Sequence, residues 1–226
     1  MSKENEKKIA ALKAVEYVKS GMTLGLGTGS TAYYAVEAIG EQWKAGTLTD
    51  IKAVPTSEAT AQQAESYGIP LVALADVDRI DLTIDGADEF DPHLRLIKGG
   101  GGALFREKLV AYASDVMLVI SDASKEVECL GAFPLPVEVL PKAVRLVTRV
   151  LTEKGYAPRL RTNTDGSTYM TDNQNYILDC ALERIEKPEE LDLELHLIPG
   201  IVETGLFLGL ASKVIMGKKD EVIEMG

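Results

Sequence analysis

The chain has 226 residues, 46% of them hydrophobic, which is typical of a globular protein with one large domain or two modest ones. Its formal net charge of −11 at pH 7 argues against a nucleic-acid partner, which requires a basic face. No apolar run is long enough to cross a bilayer, and the charged N-terminus lacks the apolar core of a signal peptide, so we expect a cytoplasmic protein without a membrane partner.

The first 130 residues alternate between helices and short apolar strands. Ile9, Leu12, Val15 and Val18 recur at helical spacing and predict a first helix over 4–19. Further helices are predicted from Ser30 or Thr31, as N-cap, to residue 40, over 56–68 and over 103–113, and strands over 22–26, 51–54, 71–74, 82–85 and 116–120. This alternation predicts a parallel sheet covered on both faces, which binds ligands at the carboxyl ends of its strands.

The pattern changes near Phe133-Pro-Leu-Pro136. There we predict a strand over 137–139, helices over 141–154 and from residue 188, turns at 163–166, 172–175 and 199–200, and strands over 201–204 and 213–216. The chain is therefore expected to be α/β, with a small α+β domain of residues 131–205 inserted into a main domain of residues 1–130 and 206–226. The small domain carries no motif with assignable chemistry, and we expect it to form an oligomer interface.

The segment Leu24-Gly-Leu-Gly-Thr-Gly-Ser-Thr31 joins a predicted strand to a predicted helix. Its glycines, Gly29 among them, allow an anion to approach main-chain N–H groups, while Thr28, Ser30 and Thr31 add hydroxyl donors. The start of the following helix adds the positive end of a dipole. These features indicate a phosphate cradle. The segment lacks the lysine of a P-loop, so a glycine-rich turn with capping hydroxyls is the alternative.

Four carboxylates are crowded into Ile84-Asp-Gly-Ala-Asp-Glu-Phe-Asp91. Like charges at this density repel one another and raise one another's pKa unless they face solvent. Three interpretations follow: solvated loop acids, a Mg²⁺ or Ca²⁺ site, or recognition of sugar hydroxyls by Asp85 and Asp88. Gly86 and Ala87 permit a tight turn that aims both side chains into one cleft.

Four consecutive glycines follow Lys98, and ordering them carries a large entropic cost. The run Gly99, Gly100, Gly101 and Gly102 therefore indicates backbone in contact with a ligand, or else a flexible hinge. Glu107 lies one turn into the next predicted helix, where its carboxylate leans back toward the loop. The alternative for Glu107 is an ion pair with Arg106 or Lys108 on the helix surface.

The chain has 24 lysines and arginines against 35 acidic residues, with only two cysteines and two histidines. An acidic chain that binds an anion must build a local positive pocket. The candidate residues are Lys7, Lys98, Arg106, Lys108 and Lys125. The alternative for any one lysine is an ordinary surface position, which is more common. Cys129 and Cys180 lack ligand spacing and predict reduced thiols. Two histidines argue against a histidine-based metal site and leave a carboxylate site open.

Four motifs in order resemble the ribose-5-phosphate isomerases of the A type: Gly27-Thr-Gly-Ser-Thr31, Asp85-Gly-Ala-Asp88, Lys98-Gly-Gly-Gly101 with Arg106-Glu-Lys108, and Asp122-Ala-Ser-Lys125. The segments 133–139, 198–200 and 203–207 extend the resemblance over nearly the whole chain. It implies a Rossmann-like main domain, a ferredoxin-like small domain, a homodimer or homotetramer, and no metal or organic cofactor. Phe105 departs from the hydroxyl or aliphatic residues common in the family, and we expect it to affect packing alone.

The resemblance also implies an activity and roles for individual residues. The reaction is the interconversion of D-ribose 5-phosphate and D-ribulose 5-phosphate, with Glu107 as catalytic base and Asp85, Asp88 and Lys98 as further catalytic groups. The residues implied in binding the sugar phosphate are Lys7, Thr28, Gly29, Ser30, Thr31, Asp85, Gly86, Ala87, Asp88, Lys98, Gly99, Gly100, Gly101 and Lys125. Two alternatives remain open: a non-catalytic sugar-phosphate sensor, and another enzyme of similar fold such as an amino-sugar phosphate isomerase–deaminase or a coenzyme A transferase.

Overall fold

Helices and strands alternate along the chain in a computed structural model that describes residues 2–226. The helices are α1 (Lys3–Val15), α2 (Ser30–Lys44), α3 (Glu58–Tyr67), α4 (Leu104–Tyr112), α5 (Val144–Glu153) and α6 (Pro188–His196). The strands are β1 (Thr23–Leu26), β2 (Lys52–Pro55), β3 (Leu82–Gly86), β4 (Glu89–Phe90), β5 (Leu96–Ile97), β6 (Met117–Asp122), β7 (Leu135–Val139), β8 (Pro158–Leu160), β9 (Tyr176–Cys180), β10 (Ile201–Thr204), β11 (Leu206–Phe207), β12 (Lys213–Lys218) and β13 (Glu221–Met225). Within residues 2–226, no helix combines the length and the apolar character that a bilayer crossing demands.

The chain divides into two compact units. The first comprises Met1–Ala87, Arg106–Glu126 and Gly209–Gly226, and the second comprises Asp88–Phe105 and Val127–Leu208. This division differs from the predicted domain boundaries chiefly at Asp88–Phe105, which the sequence analysis assigns to the main domain. The reason is strand pairing, because β4 and β5 pair with each other and β5 pairs with β11, all within the second unit.

The first unit contains a six-stranded sheet in the order β2-β1-β3-β6-β12-β13. All neighbouring strands are parallel except β12 and β13, which are antiparallel. β1 and β6 are buried along their whole length, and β3 along all but its last residue, which fits their largely apolar sequences, although Thr83 and Asp85 interrupt the apolar residues of β3. The sheet confirms the predicted Rossmann-like α/β class, and it includes β12 and β13 from the end of the chain.

The strand predicted over 71–74 is wrong beyond its first residue. Leu71 forms a single parallel bridge with Ala53, after which the chain enters a 3₁₀ turn at Leu74–Asp76. Val72 and Leu74 instead pack on a small buried apolar cluster. With the bridge counted as a strand, the sheet order becomes 3-2-1-4-5-6 followed by the antiparallel edge strand, as in a Rossmann sheet.

Small residues allow α1 to lie close to the sheet. Ala10, Ala11 and Ala14 are fully buried, and α1 packs on β6 and β12. A Cβ added to Gly217 of β12 would overlap the backbone of Glu6. The helix ends at Val15, four residues earlier than predicted, because the following amides bond three residues back in a tightened turn. Each large apolar side chain buried in this core contributes about 1.5–3 kcal/mol.

The second unit is built around a four-stranded antiparallel sheet in the order β10-β7-β9-β8. The element order β7-α5-β8-β9-α6-β10 is the β-α-β-β-α-β arrangement of ferredoxin-like domains. Its own apolar core includes Val137, Val147, Leu151, Leu178 and Leu195. The predicted ferredoxin-like α+β fold is thus confirmed. A separate three-stranded sheet, in the order β11-β5-β4, completes this unit.

Candidate active site

The loop between β1 and α2 is held by a cluster of hydroxyl groups. The Thr28 hydroxyl lies 2.7 Å from the Thr56 hydroxyl, 2.8 Å from that of Ser57 and 3.1 Å from that of Thr60. The Thr56 hydroxyl also donates to the Leu26 carbonyl at 3.0 Å, and the Thr60 hydroxyl donates to the Gly27 carbonyl at 2.9 Å. These bonds fix the loop from the α3 side. The sequence predicts only a helix start at Thr56, Ser57 and Thr60, although three hydroxyls within five residues also indicate a hydrogen-bonded cluster.

Gly29 is the N-cap of α2, so the prediction that Ser30 or Thr31 caps this helix is wrong. Gly29 has φ +116°, a conformation that residues with a Cβ rarely adopt, and its carbonyl accepts the first helical bond from Tyr33 at 2.9 Å. Ser30 and Thr31 are therefore the first two residues of the helix itself. The amides of the first turn of a helix have no intrahelical acceptor, and they carry the positive end of its dipole. This is the arrangement expected of an anion site.

A cavity of about 580 Å³ opens beside this loop. Its lining residues within the first unit are Glu4, Gly27, Thr28, Gly29, Ser30, Tyr33, Tyr34, Ala59, Thr60 and Gln63. Lys7 is not a lining residue, but its ammonium donates to the carboxylate of Glu4, which is one, at 2.7 Å. The hydrogen bond from Lys7, together with one from Tyr34, keeps the pKa of Glu4 below its ordinary value. The predicted phosphate cradle contributes Thr28, Gly29 and Ser30 to this cavity, and Lys7 contacts it through Glu4.

Asp85 connects β3 to the same loop. The side chain is fully buried, and its Oδ1 accepts the Thr28 amide at 3.1 Å and the Gly86 amide at 2.7 Å. A Cβ on Gly27 would overlap the Asp85 carboxylate, which explains why the loop needs glycine there. Asp85 is therefore no solvated loop acid. Its carboxylate orients the glycine-rich turn.

Glu89 and Asp91 of the acidic segment have structural roles in the second unit. Buried Glu89 accepts the amides of Gly131 at 2.7 Å and Phe133 at 2.5 Å. Buried Asp91 accepts the backbone amide of Arg95 and forms an ion pair with its guanidinium. Solvation is therefore the wrong interpretation for both. The engagement of these carboxylates by protein donors also removes support for a Mg²⁺ or Ca²⁺ site built from them.

Glu107 lies in the first turn of α4 and is only 4% exposed. Its neighbour Arg106 forms an ion pair with Glu58 at 2.7 Å. A carboxylate on a solvated helix face is mostly exposed, so the burial of Glu107 fits a chemical role better than a surface ion pair. Burial is also the environment in which a carboxylate becomes a stronger base.

Lys98 and the glycine run belong to the second unit. Lys98 is 2% exposed, with its ammonium 5.5 Å from the centroid of the Phe207 ring. Gly102 donates its amide to the Gly99 carbonyl at 2.9 Å, so the run forms a turn. The Gly100 amide donates to Asp88 Oδ2 at 2.7 Å. The structure thus brings Asp88 together with the glycine run, which is ordered by these bonds as a ligand loop would be.

Lys125 ends a 3₁₀ turn that follows β6. Asp122 holds this turn by accepting the Ser124 amide at 2.9 Å and the Ser124 hydroxyl at 2.5 Å. Burial favours the neutral acid, but the Ser124 hydrogen bonds and the charge of Lys125 outweigh it and lower the pKa of Asp122. Lys125 therefore lies at the carboxyl end of the sheet. Gly86 ends β3, Ala87 follows it, and the 27–31 loop follows β1, all at the same edge.

Comparison with known proteins gives one consistent result. The model of the family described as ribose 5-phosphate isomerase A (phosphoriboisomerase A) matches residues 52–221. Ribose-5-phosphate isomerase A of Parvibaculum lavamentivorans is 51% identical over 99% of this chain and 100% of its own length. The corresponding protein of Rhodopseudomonas palustris strain HaA2 is 50% identical over 98% of this chain and 97% of its own.

Solved structures give the same family. A D-ribose-5-phosphate isomerase in complex with phospho-erythronic acid superposes with a TM-score of 0.97, at 39% identity, over 100% of this chain and 99% of its own. Ribose 5-phosphate isomerase A of Methanocaldococcus jannaschii superposes with a TM-score of 0.94, at 41% identity, over 99% of both chains. The chain therefore belongs to the ribose 5-phosphate isomerase A family.

Proposed function

We propose that this protein interconverts D-ribose 5-phosphate and D-ribulose 5-phosphate, in the non-oxidative pentose phosphate pathway, through an enediolate. The observation that carries the proposal is the full-length similarity to an isomerase solved with phospho-erythronic acid. That molecule is a four-carbon sugar acid phosphate, and its planar carboxylate resembles the planar enediolate. A site that binds it favours the geometry of the intermediate.

Glu107 is the base of the proposed reaction. Aldose–ketose exchange removes the proton on C2 and returns a proton to C1, and one carboxylate serves both steps. A buried glutamate suits this work because removal from water makes the carboxylate more basic. A glutamine amide at this position does not act as a base, and a solvent-exposed carboxylate is a weaker base than a buried one.

The enediolate oxygen requires positive or donor groups that are fixed before the reaction. We assign this role to the buried Lys98 ammonium and to amides of the glycine run. Asp88, oriented by the Gly100 amide, handles a hydroxyl proton of the sugar during ring opening or enediolate formation. Asp85 contributes by holding the Thr28 and Gly86 amides.

The phosphate group is proposed to bind at the start of α2. The first-turn amides, the Ser30 and Thr31 hydroxyls and the cations Lys7 and Lys125 supply donors and charge in a chain whose overall charge is −11. Binding energy from this remote group helps to orient the reacting carbons.

Thr31→Ala is expected to raise KM for ribose 5-phosphate about tenfold with a smaller change in kcat, because one hydrogen bond to a charged group is lost. Steady-state kinetics measure both constants. Thr152→Ala is the matched control, since Thr152 is exposed on α5 and its hydroxyl donates to the Thr148 carbonyl of the same helix. An unchanged KM in Thr31→Ala would contradict the proposed phosphate site.

The activity itself is tested by incubating purified protein with ribose 5-phosphate and detecting ribulose 5-phosphate. The expected result is turnover that persists in EDTA. Binding without turnover would indicate a sensor, whereas release of ammonia from an amino-sugar phosphate, or transfer of coenzyme A, would identify the competing enzymes. Turnover restored by Mg²⁺ after EDTA would revive the metal interpretation of the acidic segment.

The oligomer proposed here is a homodimer, with a homotetramer as the alternative, in the cytoplasm. Leu193 on α6 and Leu197, the residue that follows its last turn, lie four residues apart with exposed fractions of 67% and 75%, and exposed leucines at this spacing favour a partner surface. Cys129 and Cys180 are both free thiols, which favours a reducing compartment. Burial raises the pKa of the Cys180 thiol to about 12, so this cysteine remains protonated and inert.

Leu197→Asp is expected to shift the protein toward a smaller species, because it places a charge in the proposed apolar interface. Light scattering after size exclusion measures the mass of each species. Leu12→Asp, at a half-exposed position on α1, serves as the control. An unaltered mass for Leu197→Asp, beside a multimeric wild type, would place the interface elsewhere.

A further inference from the structure

Arg161 holds the glycine run from one side. It follows β8, is 14% exposed, and donates from Nη1 to the Gly99 carbonyl at 2.8 Å and the Gly100 carbonyl at 3.2 Å. Its Nε and Nη2 donate to the two carboxylate oxygens of Asp179 at 2.9 and 2.5 Å. The bidentate ion pair fixes the plane of the guanidinium, which leaves Nη1 directed at the loop.

Tyr169 supports the same loop. Its ring centroid lies 5.8 Å from Arg161 Cζ, and its hydroxyl donates weakly to the Gly101 carbonyl at 3.4 Å. Burial raises the pKa of Tyr169, so the hydroxyl stays protonated and remains a donor. A Cβ on Gly102 would overlap the Tyr169 phenol. Three successive glycine carbonyls are therefore held by side chains that lie more than 60 residues away in sequence.

The direction of these carbonyls sets the direction of the amides. In a trans peptide the C=O and the N–H point to opposite sides, so carbonyls turned toward Arg161 turn the next amides away from it. The Gly100 amide accordingly meets Asp88 Oδ2 at 2.7 Å. The Gly101 amide and the Gly100 carbonyl belong to the same peptide. Because this carbonyl accepts from Arg161, the Gly101 amide points away from the guanidinium. A cation on a carbonyl also polarises its peptide and strengthens the amide as a donor.

We propose that Arg161, anchored by Asp179, is a positioning residue of the isomerase: it orients the Gly100 amide onto Asp88 and presents the Gly101 amide to an oxygen of the sugar phosphate. This inference rests on the proposed function, which assigns Asp88 and the glycine run to the substrate. A run of four glycines has the most backbone freedom of any sequence, and fixing each residue costs about 1–2 kcal/mol. Arg161 offsets part of that cost before the substrate arrives.

The test compares kcat and KM in variants of the full-length protein. Arg161→Met is expected to lower kcat about 10- to 100-fold, since a small misplacement of reacting groups has effects of this size, while KM stays within about threefold. Asp179→Asn is expected to lower kcat less, and the double variant to be no slower than Arg161→Met, because both residues act through one contact. Arg159→Met is the control, since Arg159 is an exposed arginine two residues earlier on β8.

Two further measurements separate positioning from general stability. Millimolar guanidinium is expected to restore part of the kcat of Arg161→Ala, and hydrogen exchange across 99–102 to accelerate in Arg161→Met while the unfolding temperature changes little. A kcat for Arg161→Met within about twofold of the wild type would overturn the inference. The inference would also be overturned if added guanidinium did not restore kcat and if the loss of kcat were accompanied by a lower unfolding temperature. A wild type without isomerase activity would remove the proposed function instead, and the exchange data would still report whether Arg161 orders the loop.

Discussion

Glu107→Gln is expected to lower kcat for ribose 5-phosphate at least about 100-fold, with little change in KM. The amide has the shape of the carboxylate but accepts no proton at neutral pH, so only the chemical steps are lost. Glu107 is buried on a rigid helix, which leaves solvent little access to replace it as a base. Glu107→Asp keeps the base and withdraws it by one methylene, so its kcat is expected between those of Gln and the wild type.

Proton exchange makes this prediction specific to the base. In D₂O the wild type is expected to incorporate deuterium at C1 of ribulose 5-phosphate, and Glu107→Gln to lose that incorporation together with turnover. Glu65→Gln is the control, because Glu65 is an exposed glutamate on α3 of the same unit. Near-normal turnover by Glu107→Gln would reject Glu107 as the base.

Much of the fold was predictable because buried strands and helix faces require apolar residues, which the sequence shows directly. β1, β3 and β6 are covered on both faces, so apolar residues predominate in them, although β3 also contains the buried polar residues Thr83 and Asp85. β4, β5 and β11 have two residues each, too few for any period, and β8 is largely exposed. The strand predicted over 71–74 is an overprediction. The apolar run after Pro70 resembles a strand, but only Leu71 bridges to β2.

The site was predictable where chemistry requires particular residues next to one another. The glycine-rich loop, the acidic segment and the glycine run each break the usual composition over a few residues. Hydrogen bonds between residues far apart in the chain produce no unusual local composition. Nothing in the sequence connects Arg161 with Gly99, or Asp85 with the Thr28 amide, because these pairs meet only through tertiary structure. The Gly29 cap is unpredictable from sequence for a related reason: hydroxyl side chains favour N-caps, but the φ of +116° at this position, which the fold sets, favours glycine.

Lys98→Met is expected to lower kcat about 100- to 1000-fold, which is the range for removing one fixed group that stabilises a developing oxyanion. Methionine fills a similar volume and leaves the contact with the Phe207 ring apolar, so the fold is kept while the charge is lost. Circular dichroism and thermal unfolding establish that the variant is folded, and steady-state kinetics give kcat.

Whether Lys98→Met loses kcat, thermal stability or both decides whether Lys98 acts in the reaction or in the fold. A lysine with 2% exposure is rare, because burial of its ammonium is costly without a compensating interaction. If the charge serves the enediolate, Lys98→Met loses kcat while remaining folded, and Lys98→Arg recovers only part of it because the larger guanidinium fits a buried ammonium site poorly. If the charge serves the fold, Lys98→Met unfolds at lower temperature and its folded fraction turns over normally. Lys142→Met, at an exposed lysine of the same unit, sets the baseline for both measurements.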